Sequence, residues 1–161
     1  MKYLVAVDGS EPSMDALRYA VEQAAATGAD VTAVSVVVPE QFFTGGDDPP
    51  TSYAEAADEL VAEDVQDAEE DAQAALEDAA EVGDEAGVEV ETGLLYGEPV
   101  EVVTEFAEGR GPSSSRMGSD DEEYDAIFVG HRGLSDRYEG LVGSTAKEIV
   151  GRATVPVTVV R

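Results

Sequence analysis

Cysteine and tryptophan are absent from this 161-residue chain, histidine occurs once, and Lys and Arg together number 9 against 36 Asp and Glu. Without Cys there is no disulfide, no thiol nucleophile and no thiolate metal site, a composition suited to a reducing compartment. A single imidazole rules out a His-based metal cluster. The shortage of cations leaves a formal charge of −27 at pH 7. Nucleic acid and anionic membrane are both bound through basic surfaces, so both are disfavoured as bulk partners. No run approaches the roughly 18 apolar residues of a membrane-spanning helix. The opening Met1-Lys2-Tyr3-Leu4-Val5-Ala6-Val7-Asp8 meets an acid too soon for a signal-peptide apolar region. The expectation is a soluble, cytoplasmic protein.

A hydrophobic content of 43% marks a folded chain despite a charge often associated with disorder. Its length suits one domain over 1–161, of a size that buries roughly 70% of its unfolded surface. Between Arg18 and Arg110 there is no Lys or Arg at all. Such self-repulsion is screened at molar salt, where the Debye length is about 3 Å. A salt-rich cytoplasm accounts for the acids; the alternative is an acidic surface for a basic partner. The acids are spread over every predicted helix rather than gathered in one tail, which favours a solvated coat.

Tyr3 to Val7 reads as a strand ending in the turn Asp8-Gly9-Ser10, after which Ser10 can N-cap a helix with Glu11 and Pro12 in its first turn. Ala16, Leu17, Ala20, Val21, Ala24 and Ala25 form its apolar stripe, and Gly28 ends it. Val31 to Val38 is a near-continuous β-branched run, suited to a strand buried on both faces of a parallel sheet, and Pro39 stops it. Residues 40–52 have loop composition. Ala54 to about Val82 reads as a helix too long for a small domain, so its N-terminal part should overhang or bend, with Gly83 and Gly87 closing it. Val88 to Tyr96 is a third strand, followed by a short helix opened by Pro99. Residues 109–123 have the composition of a flexible insertion. Ala126 to Val129 is strand four, Ser144 to Val150 a helix closed by Gly151, and Val155 to Arg161 strand five. The alternation is βαβαβαβαβ: an α/β fold with a parallel sheet and right-handed crossovers.

The sharpest chemical signal follows strand four. Val129 precedes Gly130-His131-Arg132-Gly133, then nine residues, then Gly143-Ser144-Thr145 at a helix start. Glycines let backbone N–H groups approach a ligand, and a helix N-terminus adds unpaired donors and a positive dipole end. This makes an anion cradle past the carboxyl end of a parallel strand, where open α/β sheets bind ligands. The plainer reading is two glycine turns with Ser144 as a helix cap. Neither a Walker A loop nor the dinucleotide glycine fingerprint is present. Asp8 is a turn former or a ligand contact. Arg132 and Arg137 are phosphate contacts or salt-bridge partners of nearby acids. His131 is a loop residue near the phosphates rather than a catalytic group.

The spacing of Gly130, Gly133, Gly143 and Ser144 resembles the ATP-binding signature of the universal stress protein family. Val5-Ala6-Val7-Asp8-Gly9-Ser10 and Val155-Pro156-Val157-Thr158-Val159-Val160 are similar to that family's first and last strands. The resemblance implies an open, Rossmann-like five-stranded parallel sheet in the order 3-2-1-4-5 with helices on both faces. It also implies a homodimer through strand 155–161 and ATP, with Mg²⁺, over strands one and four. It puts Asp8 at the adenine and ribose end, with Gly9 and Ser10 beside it. Val38 or a neighbour would meet adenine through its backbone. Gly130 lies at the ribose, and Gly133, Gly143, Ser144 and Thr145 around the phosphates; Val129 and Arg132 are counted with them as candidate nucleotide contacts. The departures are the insertion and the basic-free second helix. The implied role is a dimeric, nucleotide-dependent stress-response module in an acidic proteome of haloarchaeal type. A slow ATP hydrolase or phosphotransferase, and a structural dimer without nucleotide, are the alternatives.

Overall fold

The computed structural model describes residues 1–38, 54–110, 123–132 and 142–161, with 54–64 described by backbone alone. The predicted loop 40–52, Gly133, Arg137 and most of the 109–123 insertion lie outside the described residues. The elements are β1 (Lys2–Ala6), α1 (Glu11–Thr27), β2 (Asp30–Val37), α2 (Ala54–Ala86), β3 (Val90–Tyr96), α3 (Pro99–Ala107), β4 (Ala126–Gly130), α4 (Ser144–Arg152) and β5 (Val157–Val160). The strands form one parallel sheet in the order β3-β2-β1-β4-β5.

Alternation along each strand divides the core in two. Tyr3, Val5, Val7, Val31, Ala33 and Phe128 pack with the small residues Ala16, Ala20, Ala24, Ala75 and Ala79 of α1 and α2. Leu4, Val34, Ile127 and Val129 face the other way, onto Val100, Val103, Ala146 and Ile149 of α3 and α4. Both faces of β1, β2 and β4 are covered, which is why those strands read as near-continuous apolar runs, with Thr32 and Ser35 of β2 buried among them.

Local signals set most boundaries. Ser10 N-caps α1, its hydroxyl accepting from the Ser13 N–H, and Gly28 takes the left-handed conformation at the other end (φ +73°). Two glycines expected to end helices instead lie inside them. Gly151 is within α4, which runs on to Arg152. Gly83 is within α2, where a Cβ would meet Val90 Cγ2 at 2.5 Å and the Val88 carbonyl oxygen at 2.6 Å. Gly87, at φ +70°, is the residue that turns the chain. Its N–H donates to the Asp84 carbonyl at 3.2 Å and that of Val88 to Gly83 at 2.9 Å, the paired bonds of a Schellman motif. Val88 therefore belongs to the helix end, and β3 starts two residues later than expected. At the other edge, Pro156 has no N–H to donate, and β5 starts only at Val157. Tyr124 donates to Thr32 Oγ1 at 3.2 Å, and burial raises its pKa above the ordinary phenolic value.

Candidate functional site

The turn after β1 is held by hydrogen bonds among Asp8, Ser10 and Ser13. The Val7 N–H donates to the Val34 carbonyl at 2.9 Å, extending the pairing of β1 with β2. Gly9 then takes φ +78°, a conformation costly for other residues. An Asp8 carboxylate oxygen accepts from the Ser10 N–H at 3.0 Å and from the Ser10 hydroxyl. The buried Ser13 hydroxyl accepts from the Asp8 N–H at 3.2 Å and donates to the Ser10 carbonyl at 2.9 Å. Asp8 is thus a turn-forming residue, and its exposed carboxylate also lines the crevice described below.

Past β4, the chain and α1 meet backbone to backbone. A Cβ on Gly130 would lie 2.5 Å from the Pro12 carbonyl carbon and oxygen and 2.8 Å from the Ser13 nitrogen. Glycine at 130 is therefore demanded by the packing of the first turn of α1 on β4. Farther on, Gly143 rather than Ser144 is the N-cap of α4, and no side chain caps that helix. The Gly143 N–H donates to the His131 carbonyl at 2.6 Å. The N–H groups of Ser144, Thr145 and Ala146 occupy the first turn, where an α-helix offers no internal acceptor. They and the dipole form the electropositive end of α4.

Between these two segments lies a crevice of about 260 Å³ at the carboxyl ends of β1 and β4, where the strand order reverses direction. Asp8, Val129, Gly130, Arg132, Gly143 and Thr145 line it, so six of the expected residues come together there. Gly9, Ser10, Val38 and Ser144 are not among the lining residues. On β2 it is Val34 and Val36 that line it. Val38 follows the strand's last residue, Val37, whose carbonyl accepts from Gly97 at 3.0 Å. Sequence reasoning missed Ser13 and the apolar wall of Pro99, Val103, Ala146 and Ile149. Those residues carry an ordinary core pattern, so only the short gap between Pro99 and the preceding strand hinted that α3 begins at the ligand end. Among the described lining residues Asp8 is the sole acid and Arg132 the sole base. Among the described residues no cluster of three His, Asp or Glu could hold a metal ion, and no helix is long and apolar enough to cross a membrane.

Such a pocket can take a planar apolar group against valine side chains and an anionic group at the α4 start. Comparison with known proteins agrees in fold and in sequence. A sequence model of the Universal stress protein family matches residues 1–161. The chain is 30% identical over 164 residues to universal stress protein YxiE of Bacillus subtilis, covering 99% of this chain and 98% of that one. Among solved structures it is similar to universal stress protein UspA from Lactobacillus plantarum, at 25% identity and TM-score 0.77, covering 100% of this chain and 97% of that one. It is also similar in fold to the universal stress protein from Archaeoglobus fulgidus solved in complex with dAMP, at 24% identity and TM-score 0.66, covering 100% and 98% respectively.

Proposed function

The chain belongs to the universal stress protein family, and on that premise we propose that it binds ATP in the crevice over β1 and β4 as a dimeric regulatory module. The observation that carries this reading is the side-by-side placement of valine walls from β2 and the uncapped start of α4, with Arg132 beside it. An adenine ring suits the first and phosphates suit the second. The dAMP complex of the Archaeoglobus fulgidus protein supports the capacity of this fold for an adenine nucleotide. The volume of about 260 Å³ lies just below the usual ligand-pocket range of about 300–1,000 Å³. It suits the nucleoside part, with the phosphates over the α4 start. Mg²⁺ arriving with the nucleotide would meet Asp8, the one described lining carboxylate, and would supply charge neutralisation for the phosphates.

Titration calorimetry at molar KCl tests the reading. The wild type should bind ATP more tightly than adenosine, and Gly143→Val, which puts a branched side chain on the buried cap of α4, should bind neither well. No heat with wild type, or wild-type affinity in Gly143→Val, would sink it.

The homodimer rests on the two sheet edges. β3 carries Glu91 and exposed positions along its length, whereas Val157–Val160 is a short, half-buried run without a charge. An apolar edge of that kind invites pairing, and a two-fold between β5 strands satisfies it. Light scattering at high salt should give about twice the chain mass; a monomer at high concentration would contradict it. The acidic surface supports a salt-adapted cytoplasm as the setting.

A further inference from the structure

We infer, resting on the nucleotide reading above, that His131 is a positioning residue for the phosphate end of the ligand: its imidazole holds the Arg132 guanidinium at the crevice wall and ties it to the end of β5. His131 directly follows β4 and is half-buried. Its N–H donates to the Val160 carbonyl at 2.8 Å, and its ring Nδ1 lies 3.3 Å from the same oxygen. On the other side of the ring, Arg132 Nε donates to His131 Nε2 at 2.9 Å. Val160 is the last residue of β5 and stands opposite Gly130 in the sheet.

The two partners demand the same proton placement. A carbonyl only accepts, so Nδ1 must carry the hydrogen; a guanidinium only donates, so Nε2 must be bare. The neutral Nδ1–H tautomer alone satisfies both. Fixing Nε fixes the plane of the guanidinium, the feature on which forked recognition of phosphate oxygens depends. An arginine already ordered also loses less side-chain entropy when the anion arrives. In so acidic a chain this matters, since Arg132 is the one base among the described residues of the wall.

Because His131 is the only histidine, its ring nitrogens can be read by ¹⁵N NMR without assignment. In ligand-free wild type at molar KCl the Nδ1–H tautomer should dominate, and Arg132→Lys should shift the Nε2 resonance toward that of an unbonded ring. An Nε2–H tautomer, or an Nε2 signal unmoved by Arg132→Lys, overturns the clamp. Calorimetry supplies the second arm. His131→Asn places an amide where Nδ1 was, keeping the strand bond and losing the acceptor for Arg132. His131→Gln places it where Nε2 was. The ratio of ATP to adenosine affinity should fall about tenfold in His131→Asn, the lower end for a hydrogen bond to a charged group, and His131→Gln should recover most of it. A purely structural role predicts the opposite order, with both ligands weakened together. An unchanged ratio in folded His131→Asn overturns the phosphate role; if that variant does not fold, the wild-type ring signal and His131→Gln decide. Wild type that binds neither ligand overturns the nucleotide reading and the phosphate role with it, and the ring signal still judges the clamp.

Discussion

Replacing Gly130 by alanine adds one methyl group at the point where β4 touches α1. That carbon would sit 2.5 Å from the Pro12 carbonyl carbon and oxygen and 2.8 Å from the Ser13 nitrogen, about 1 Å closer than ordinary contact allows. All three atoms are backbone, so no flexible side-chain end can swing away. Relief requires the first turn of α1 to lift off β4, which strains the Asp8–Ser10–Ser13 hydrogen bonds. Overpacking of this kind costs about 1–3 kcal/mol, and the rigid neighbours put Gly130→Ala at the upper end, about 3 kcal/mol. For a chain of this size that lowers Tm by roughly 6–12 °C. Thermal unfolding followed by circular dichroism in molar KCl measures it directly. A ligand-only role for Gly130 predicts wild-type stability with lost nucleotide binding. A Tm within a degree of wild type would refute the packing argument.

Two other glycines should separate by sign. Gly151→Ala, in a helix with nothing near the new methyl group, should stabilise by about 0.5–1 kcal/mol. Gly83→Ala, also helical but crowded by Val88 and Val90, should destabilise; chemical denaturation of both checks the pair, and equal effects would be wrong. Salt should raise Tm: exposed like charges one turn apart on α2, such as Asp67 with Asp71 and Glu77 with Glu81, cost about 0.2–0.5 kcal/mol per pair until screened. Calorimetric scans from dilute buffer to molar KCl that show a flat Tm would revive the basic-partner reading. At alkaline pH, the raised folded pKa of Tyr124 means its contribution is whole below the unfolded phenol's value of about 10 and is lost as pH rises through the higher folded value. Tyr124→Phe should flatten that part of the stability profile, and an unchanged alkaline limb would count against it.

What could be read in advance was whatever one element decides by itself. The stripe of α1, its Ser10 cap and its Gly28 end are local physics, and the strands of a doubly covered sheet announce themselves as apolar runs. Glycines were the harder residues, because sequence shows that a Cβ is missing and not which neighbour forbids it. Gly83 answers to β3, Gly130 to α1, and Gly151 to nothing nearby. The site divided in the same way. Asp8, Gly130 and Gly143 stand beside visible turns, whereas Val34, Val36, Val103 and Ile149 line the crevice with side chains indistinguishable in sequence from core. The offset between Val38 and Val36 follows from where β2 ends.

Amide NMR of the wild type titrated with ATP at molar KCl tests the central claim most directly, because it reports where the nucleotide sits. Shifts should cluster at Ala6–Asp8, Val34–Val36, Gly130–Arg132 and Thr145–Ala146, while Glu91–Gly93 on the far edge strand stay still. Shifts centred elsewhere, or a spectrum that ATP leaves unchanged, would contradict the account.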